Sequence, residues 1–142
     1  MSTDAMKALT RRAIEEGWNQ GKLEVFDEVD APEYVDHAPA PGQGPGVEGY
    51  KQAVQMTRAA FPDLQITVED MIAEGDLVVT RWTARGTHQG EYMGIPASGK
   101  SVQVTGVNIG RFENGKVVEN WANSDQLGLL QQLGVLPAPG QG

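Results

Sequence analysis

The second half of the chain alternates between strand-length segments and tight turns, and this alternation limits the fold more than any other feature. Apolar and polar side chains alternate over residues 64–73, which is the period of a half-buried strand. Asn114-Gly115 is a strong two-residue hairpin sequence, and Glu74-Gly75-Asp76 is a second turn. The pattern predicts four long antiparallel strands at residues 64–73, 77–88, 101–113 and 116–124.

The first half favours helices, because its apolar residues recur every three or four positions. A segment rich in Pro and Gly at 32–45 is predicted as a loop with a brief strand at 33–37. Helices are predicted at residues 4–18, 23–29, 46–61 and, after the last strand, 125–133.

Helices that precede an antiparallel meander predict an α+β fold. Helices would cover one face of a single curved sheet, and a bent sheet leaves a concave apolar pocket between the two layers. We expect one domain over residues 1–142, with a flexible tail at 137–142.

Charge and composition exclude several classes of protein. The net charge is −8, and the 11 basic residues are scattered, which argues against nucleic acid and anionic membranes as partners. The chain has no cysteine, so disulfides, thiolate nucleophiles and cysteine-bound zinc are excluded. Two histidines without paired spacing predict no metal site. No signal peptide or membrane-spanning segment is visible, so a cytoplasmic protein is expected.

The segment 86–134 carries a family resemblance. It reads GTHQGEYMGIP from Gly86, ASGK from Ala97, NGKVVE from Asn114 and LLQQLG from Leu129. Together with the amphipathic first helix and the loop around His37, these motifs resemble the SnoaL-like polyketide cyclases over nearly the whole chain. The motifs are specific for the family but not for a substrate.

The resemblance implies a cone-shaped α+β barrel, a fold shared with ketosteroid isomerase and nuclear transport factor. It also implies an apolar pocket, no metal and no organic cofactor. The reaction that it implies is ring closure of a polyketide by intramolecular aldol condensation. An aspartate would act as general acid/base in the pocket, assisted by histidines.

Asp125 is the first candidate for that aspartate. It follows Trp121 and Asn123 at a period of two, so the three side chains would share one face of the last strand. A poorly solvated carboxylate beside an indole suits a group that must take and return a proton. The alternative is that Asp125 only caps the helix that follows it. The spacing alone favours a helix cap. With the family resemblance added, the cap and the acid/base role are equally supported.

Two histidines are the other candidates. His37, in a loop, could donate to a developing enolate oxygen or could only bond to the backbone. The family places a histidine in this loop at the pocket, which favours the first interpretation. His88 follows Trp82 at even spacing on the second long strand. It would lie at the pocket mouth, or at the surface if a nearby glycine introduces a bulge.

Two tryptophans and two amides are candidates for substrate contact. Trp82 and Trp121 could form walls for a flat aromatic substrate, or could be ordinary core residues. Asn108 and Asn123 lie within apolar strands, where a buried amide needs partners. They would orient a substrate carbonyl or satisfy the backbone.

The hypothesis is therefore a cofactor-independent polyketide ester cyclase. The alternatives are a non-catalytic module that binds a small molecule, and an isomerase or hydrolase on the same fold. A homo-oligomer, dimer or tetramer, is expected because the third strand is apolar on both faces, with Val102 and Val104 on one and Val107 and Ile109 on the other.

Overall fold

The computed structural model describes residues 1–137 and 140 of the chain. Most of the predicted tail, residues 138, 139, 141 and 142, therefore lies outside the described residues. In chain order the elements are α1 (Thr3–Arg12), α2 (Val25–Val29), β1 (Asp30–Asp36), α3 (Gly46–Ala60), β2 (Gln65–Glu74), β3 (Leu77–Thr87), β4 (Ser101–Glu113), β5 (Lys116–Ser124) and α4 (Gln126–Gln132).

The predicted α+β class is confirmed, and the hairpin of β4 and β5 has the predicted bounds. Most other bounds lie within two residues of the prediction, and two larger details differ. The first helix becomes a π-helix over Ala13–Trp18, where the ring of Phe26 lies against Gly17 and leaves no room for a side chain there. The brief strand expected in the loop is longer and begins earlier, at Asp30.

The five strands form one curved, unclosed sheet in the order β1-β5-β4-β3-β2. Strands β2 to β5 are an antiparallel meander, as predicted. Strand β1 is parallel to β5, with Asp36 opposite Asn120. This parallel pair joins the early part of the chain to the last strand and places β1 at one edge of the sheet.

The helices cover only one face of the sheet, which we call the inner face. Along β3, Val78 and Thr80 are buried on this face, whereas Leu77 and Arg81 are exposed on the other, the outer face. One apolar cluster packs α1 and α2 against strands β1, β3, β4 and β5, and a second packs α4 and the end of α3 against β4. The outer face has no covering layer within the described chain.

Two further features concern the described residues as a whole. No helix among them is long and apolar enough to cross a bilayer. Nor do residues 1–137 and 140 bring together three His, Cys, Asp or Glu side chains that could hold a metal ion.

Candidate active site

The structure places the seven predicted site residues in three regions. These are the inner face of the sheet, the end of β3, and the outer face of β5 with its rim. The inner face holds Trp82 and Asn108, and His88 lies at the end of β3. The outer face of β5 and its rim hold His37, Trp121, Asn123 and Asp125.

A chain of hydrogen bonds crosses the inner face. Trp82 Nε1 donates to Asn108 Oδ1 at 2.6 Å, and Asn108 Nδ2 donates to Asn120 Oδ1 at 3.1 Å. The indole lies over Gly106 so closely that a Cβ at that position would overlap it. Asn108 thus finds partners in other side chains, and the buried Asn120, which the sequence did not single out, belongs to the same row.

His88 is fully buried just beyond the end of β3. Nδ1 of the ring lies 2.9 Å from Ser98 Oγ and accepts from the Ser98 backbone N–H at 3.2 Å. An acceptor at Nδ1 assigns the proton of a neutral ring to Nε2. The ring of Phe61 stacks on the imidazole at a centroid distance of 5.4 Å. Among the described residues, His88 Nε2 is the one side-chain nitrogen or oxygen that is both fully shielded and without a hydrogen-bond partner. A buried donor without a partner is costly, and a ligand oxygen would remove that cost.

His37 lies on the outer face, clamped between two side chains of β5. Its Nε2 bonds to Glu119 Oε2 at 2.8 Å, and its ring stacks on Trp121 at 5.0 Å. Arg111 donates to the other oxygen of Glu119. The bonds from His37 and Arg111 hold the pKa of Glu119 below its ordinary value. A carboxylate, not the backbone, therefore orients this loop histidine.

Asp125 stands at the rim, where β5 turns into α4. Its Oδ1 accepts from the backbone N–H of Gly128 at 2.9 Å, which is the predicted helix cap. The expected poor solvation is absent, because the residue is exposed at this turn. Asp125 also faces an open groove of about 400 Å³ that continues along the outer face. The groove is lined by Arg81, Thr105, Gly106, Val107, Asn123, Ser124 and Asp125. Asp125 is thus both a cap and a groove residue.

Sequence reasoning missed a group of titratable side chains beneath the helices. Asp30 is only 6% exposed; its burial, reinforced by the charges of Asp36 and Asp27 and opposed by Lys116, raises its pKa to about 7. Burial likewise raises the pKa of both Tyr34 and Tyr50, so both hydroxyls stay protonated. The sequence offered no clear signal, because Asp30 stands in the acidic segment Asp27-Glu28-Val29-Asp30, where an exposed carboxylate is the ordinary expectation.

Residues 8–133 match the sequence model of the SnoaL-like polyketide cyclases. The chain belongs to this family. The matched segment covers all five strands, so the SnoaL-like assignment includes the inner face, His88 and the rim at Asp125. No curated protein sequence matches the chain significantly.

Solved structures with the SnoaL-like fold resemble the chain over nearly its whole length. TsrD of Streptomyces laurentii is 32% identical with a TM-score of 0.89, covering 96% of this chain and 99% of TsrD. IdmH of Streptomyces antibioticus, named as a candidate polyketide cyclase, is 39% identical with a TM-score of 0.78, covering 91% and 98%. AclR of Streptomyces galilaeus, named as a candidate hydroxylase, is 33% identical with a TM-score of 0.84, covering 96% and 85%. These names assign different reactions, so the SnoaL-like fold alone does not fix the chemistry.

Proposed function

We propose that this SnoaL-like protein closes a ring of a polyketide ester by intramolecular aldol condensation, without a bound cofactor. A base removes a proton from the carbon between two carbonyl groups of the substrate. The resulting enolate carbon bonds to a ketone carbon of the same molecule, and the ketone oxygen takes the proton back. Substrate and product have the same composition, so the reaction needs no oxidant, reductant or second reactant.

The observation that carries the proposal is the unpaired N–H of His88. A donor that is already in place and shielded from water stabilises charge on an oxygen without reorganisation. The apolar cluster around Phe61 excludes water from this donor, so a substrate oxygen would have to displace part of the cluster to reach it. We assign the oxygen-binding role to His88 first, since Nε2 of His37 already contacts Glu119.

We assign the acid/base role to Asp125. Its Oδ1 holds the start of α4, whereas its Oδ2 accepts no hydrogen bond from any described residue and is free to take a proton. Asp125 begins α4, and the other end of this helix lies toward His88, because Lys100 donates through Nζ to the Leu133 carbonyl and accepts at its own carbonyl from the His88 N–H.

The remaining predicted residues would position the substrate. Trp121 and Asn123 share the outer face of β5 with the rim, and His37, held by Glu119, lies against Trp121. Trp82 and Asn108 would present a flat apolar wall and an amide on the inner face. Each of these contacts is part of the proposal.

A second candidate function is a small-molecule binding module without turnover. The capping bond from Gly128 to Asp125 favours it, since a carboxylate that only caps a helix needs no catalytic role. The two candidates differ in whether a bound polyketide changes.

The test uses an anthracycline-like polyketide with a β-keto ester side chain. Wild-type protein should convert it to an isomer of equal mass, followed by chromatography with mass detection. Asp125→Asn should lower turnover by about 10²–10⁴, since an amide is not a useful base. His88→Phe should lower it by about 10²–10³ through loss of the oxygen donor.

Asp4→Asn is the control, because Asp4 is also an exposed aspartate at the start of a helix. Its turnover should equal that of the wild type. Full turnover in Asp125→Asn would contradict the acid/base assignment. Saturable binding of the polyketide with no product would contradict the cyclase and support the binding module.

A further inference from the structure

A row of three side chains crosses the groove on the outer face. Arg81, Val107 and Asn123 lie opposite one another on β3, β4 and β5, and all three line the groove. Asp125 lies in the same groove, where its backbone N–H donates to the Thr105 carbonyl at 3.0 Å. The row thus places an exposed apolar side chain between a guanidinium and an amide, beside the carboxylate to which we assign the acid/base role.

Both polar side chains of the row keep hydrogen-bonding groups for a ligand. Arg81 donates through Nε to Asp70 Oδ2 at 2.7 Å, whereas its two terminal nitrogens donate to no described residue. The Asn123 amide, which lines the groove, has no hydrogen-bond partner within the described part of the chain. Both residues are exposed, so a ligand in the groove can contact them without any rearrangement of the core.

A β-bulge determines the partner of Arg81. The pairing of β2 with β3 shifts between Val68 and Asp70, so Glu69 is an extra residue on β2. Asp70 therefore lies directly opposite Arg81, and the two side chains form an exposed ion pair. Such pairs contribute little to stability. The effect of this pair on the groove is to hold Arg81 by Nε, while Asp70 itself is not among the lining residues.

The charges at the groove favour a neutral ligand over an anion. Asp70 neutralises the Arg81 guanidinium, and Asp125 adds a second negative charge at the groove. The lining residues include no cation besides Arg81. Two carboxylates thus face one guanidinium, in a chain whose net charge is −8. A carboxylate ligand is repelled here, whereas an ester carbonyl can still accept a hydrogen bond from Arg81.

We propose that Arg81 and Asp70 make the groove select an ester over the corresponding free acid. The terminal nitrogens of Arg81 donate to the ester carbonyl, and the charge of Asp70 excludes the carboxylate form. The inference rests on the proposed function, since it places the polyketide ester of that reaction in the groove. It adds a specificity-determining pair to the acid/base role of Asp125.

The test compares methyl 2-naphthylacetate with 2-naphthylacetate, the anion of its free acid. Binding to the full chain is measured by equilibrium dialysis at neutral pH, and the wild type should bind the ester more tightly. Arg81→Met should weaken ester binding by about 3- to 10-fold, the value of one hydrogen bond. Asp70→Asn should tighten binding of the acid by about 3-fold at low salt, because it removes a repelling charge, and should not tighten binding of the ester.

Arg85→Met is the matched control. Arg85 is also an exposed arginine of β3 held through Nε, by Gln103 at 3.0 Å, but it does not line the groove. This variant should bind the ester as the wild type does. Equal losses of ester binding in the two arginine variants would overturn the selectivity.

Three other results would also overturn it. These are tighter binding of the acid than of the ester by the wild type, unchanged acid binding in Asp70→Asn, and no binding of either probe. Neither probe contains a ketone, so neither can undergo the proposed ring closure. An inactive cyclase would therefore leave the selectivity standing, and an active one could still lack it.

Discussion

Asp125 has two possible roles, as a helix cap and as a catalytic base, because it lies between the end of β5 and the start of α4. Asparagine keeps an oxygen that can accept from the Gly128 N–H, so Asp125→Asn should leave the free energy of unfolding nearly unchanged. Asp125→Ala removes the acceptor and should cost about 1 kcal/mol in urea denaturation. A combination of unchanged stability and lost turnover in Asp125→Asn would separate catalysis from capping at a single position. Equal stability of the asparagine and alanine variants would contradict the cap.

Asp30 should make the stability of the protein depend on pH. Its pKa is 3.8 ordinarily and about 7 in the folded protein, so the folded state binds this proton more tightly than the unfolded chain. The stabilisation is fully present below about pH 4 and is lost as the pH rises through about 7, with an upper limit of about 4 kcal/mol. Asp30→Asn should flatten this fall in urea denaturation from pH 5 to 8, while Asp4→Asn keeps it. The same slope in Asp30→Asn and wild type would show that Asp30 titrates normally.

For single residues, the sequence pattern predicts which side chains share a face of a strand better than it predicts whether that face is buried. The period of two placed Trp121, Asn123 and Asp125 together, and they do follow one face of β5 to its rim. Tertiary packing decides which face of the sheet the helices cover, and the residue pattern of a strand does not show which face that is. The burial of Asp30 was not predicted for a similar reason, because it depends on the pairing of β1 with β5, a strand far away in the sequence.

Among the helices and strands, the bounds that the sequence predicts best are those next to a turn with a characteristic sequence. Asn114 and Gly115 both adopt positive φ, as the hairpin sequence requires, and they fix the register of β4 and β5. Strand β1 was predicted only in part, because no tight turn connects a parallel edge strand to its partner and the sequence therefore does not indicate the pairing. The change from α- to π-helix at Ala13 also has no local signal, since it depends on the packing of Phe26 against Gly17.

The pairing of β3 with β4 depends on a glycine beneath an indole. Gly106→Ala would place a methyl group in the ring of Trp82, which Asn108 holds by a hydrogen bond. We expect a loss of about 1–3 kcal/mol, the usual cost of overpacking, measured by urea denaturation with tryptophan fluorescence. Gly110→Ala on the same strand is the control, because its nearest neighbour is Val117 at 3.6 Å, an ordinary contact. Equal losses in the two variants would refute the steric cause.

At the scale of the whole molecule, the outer face of the sheet exposes apolar side chains. Val107 and Trp121 are 41% and 37% exposed there, whereas Val102 on the inner face of the same sheet is buried. Exposed apolar residues that cluster on one sheet face are typical of subunit contacts. Association through this face would also cover Trp121 and part of the groove lined by Val107, Asn123 and Asp125, so the substrate contacts proposed there require an interface that leaves the groove open.

We therefore predict a dimer or larger homo-oligomer in light scattering at micromolar concentration. Val107→Glu should shift the protein toward the monomer, because it places a charge within the apolar contact. Met56→Glu, on the exposed side of α3, alters an equally apolar surface residue away from the sheet and should not change the mass. A monomeric wild type would contradict the prediction.

The parallel pairing of β1 with β5 has a consequence for how the protein is made. The ribosome produces β1 well before β5, the strand that pairs with it; His37 and Glu119, which touch across this junction, are 82 residues apart. Contacts between such distant segments form slowly, and until they form, an unpaired strand edge invites pairing with other chains. A chain released before Lys116 would contain α1 to α3 and β1 to β4 but would lack α4 and β5, the partner of β1. Such a fragment is a client for chaperones and proteases, and not a smaller working version of the protein.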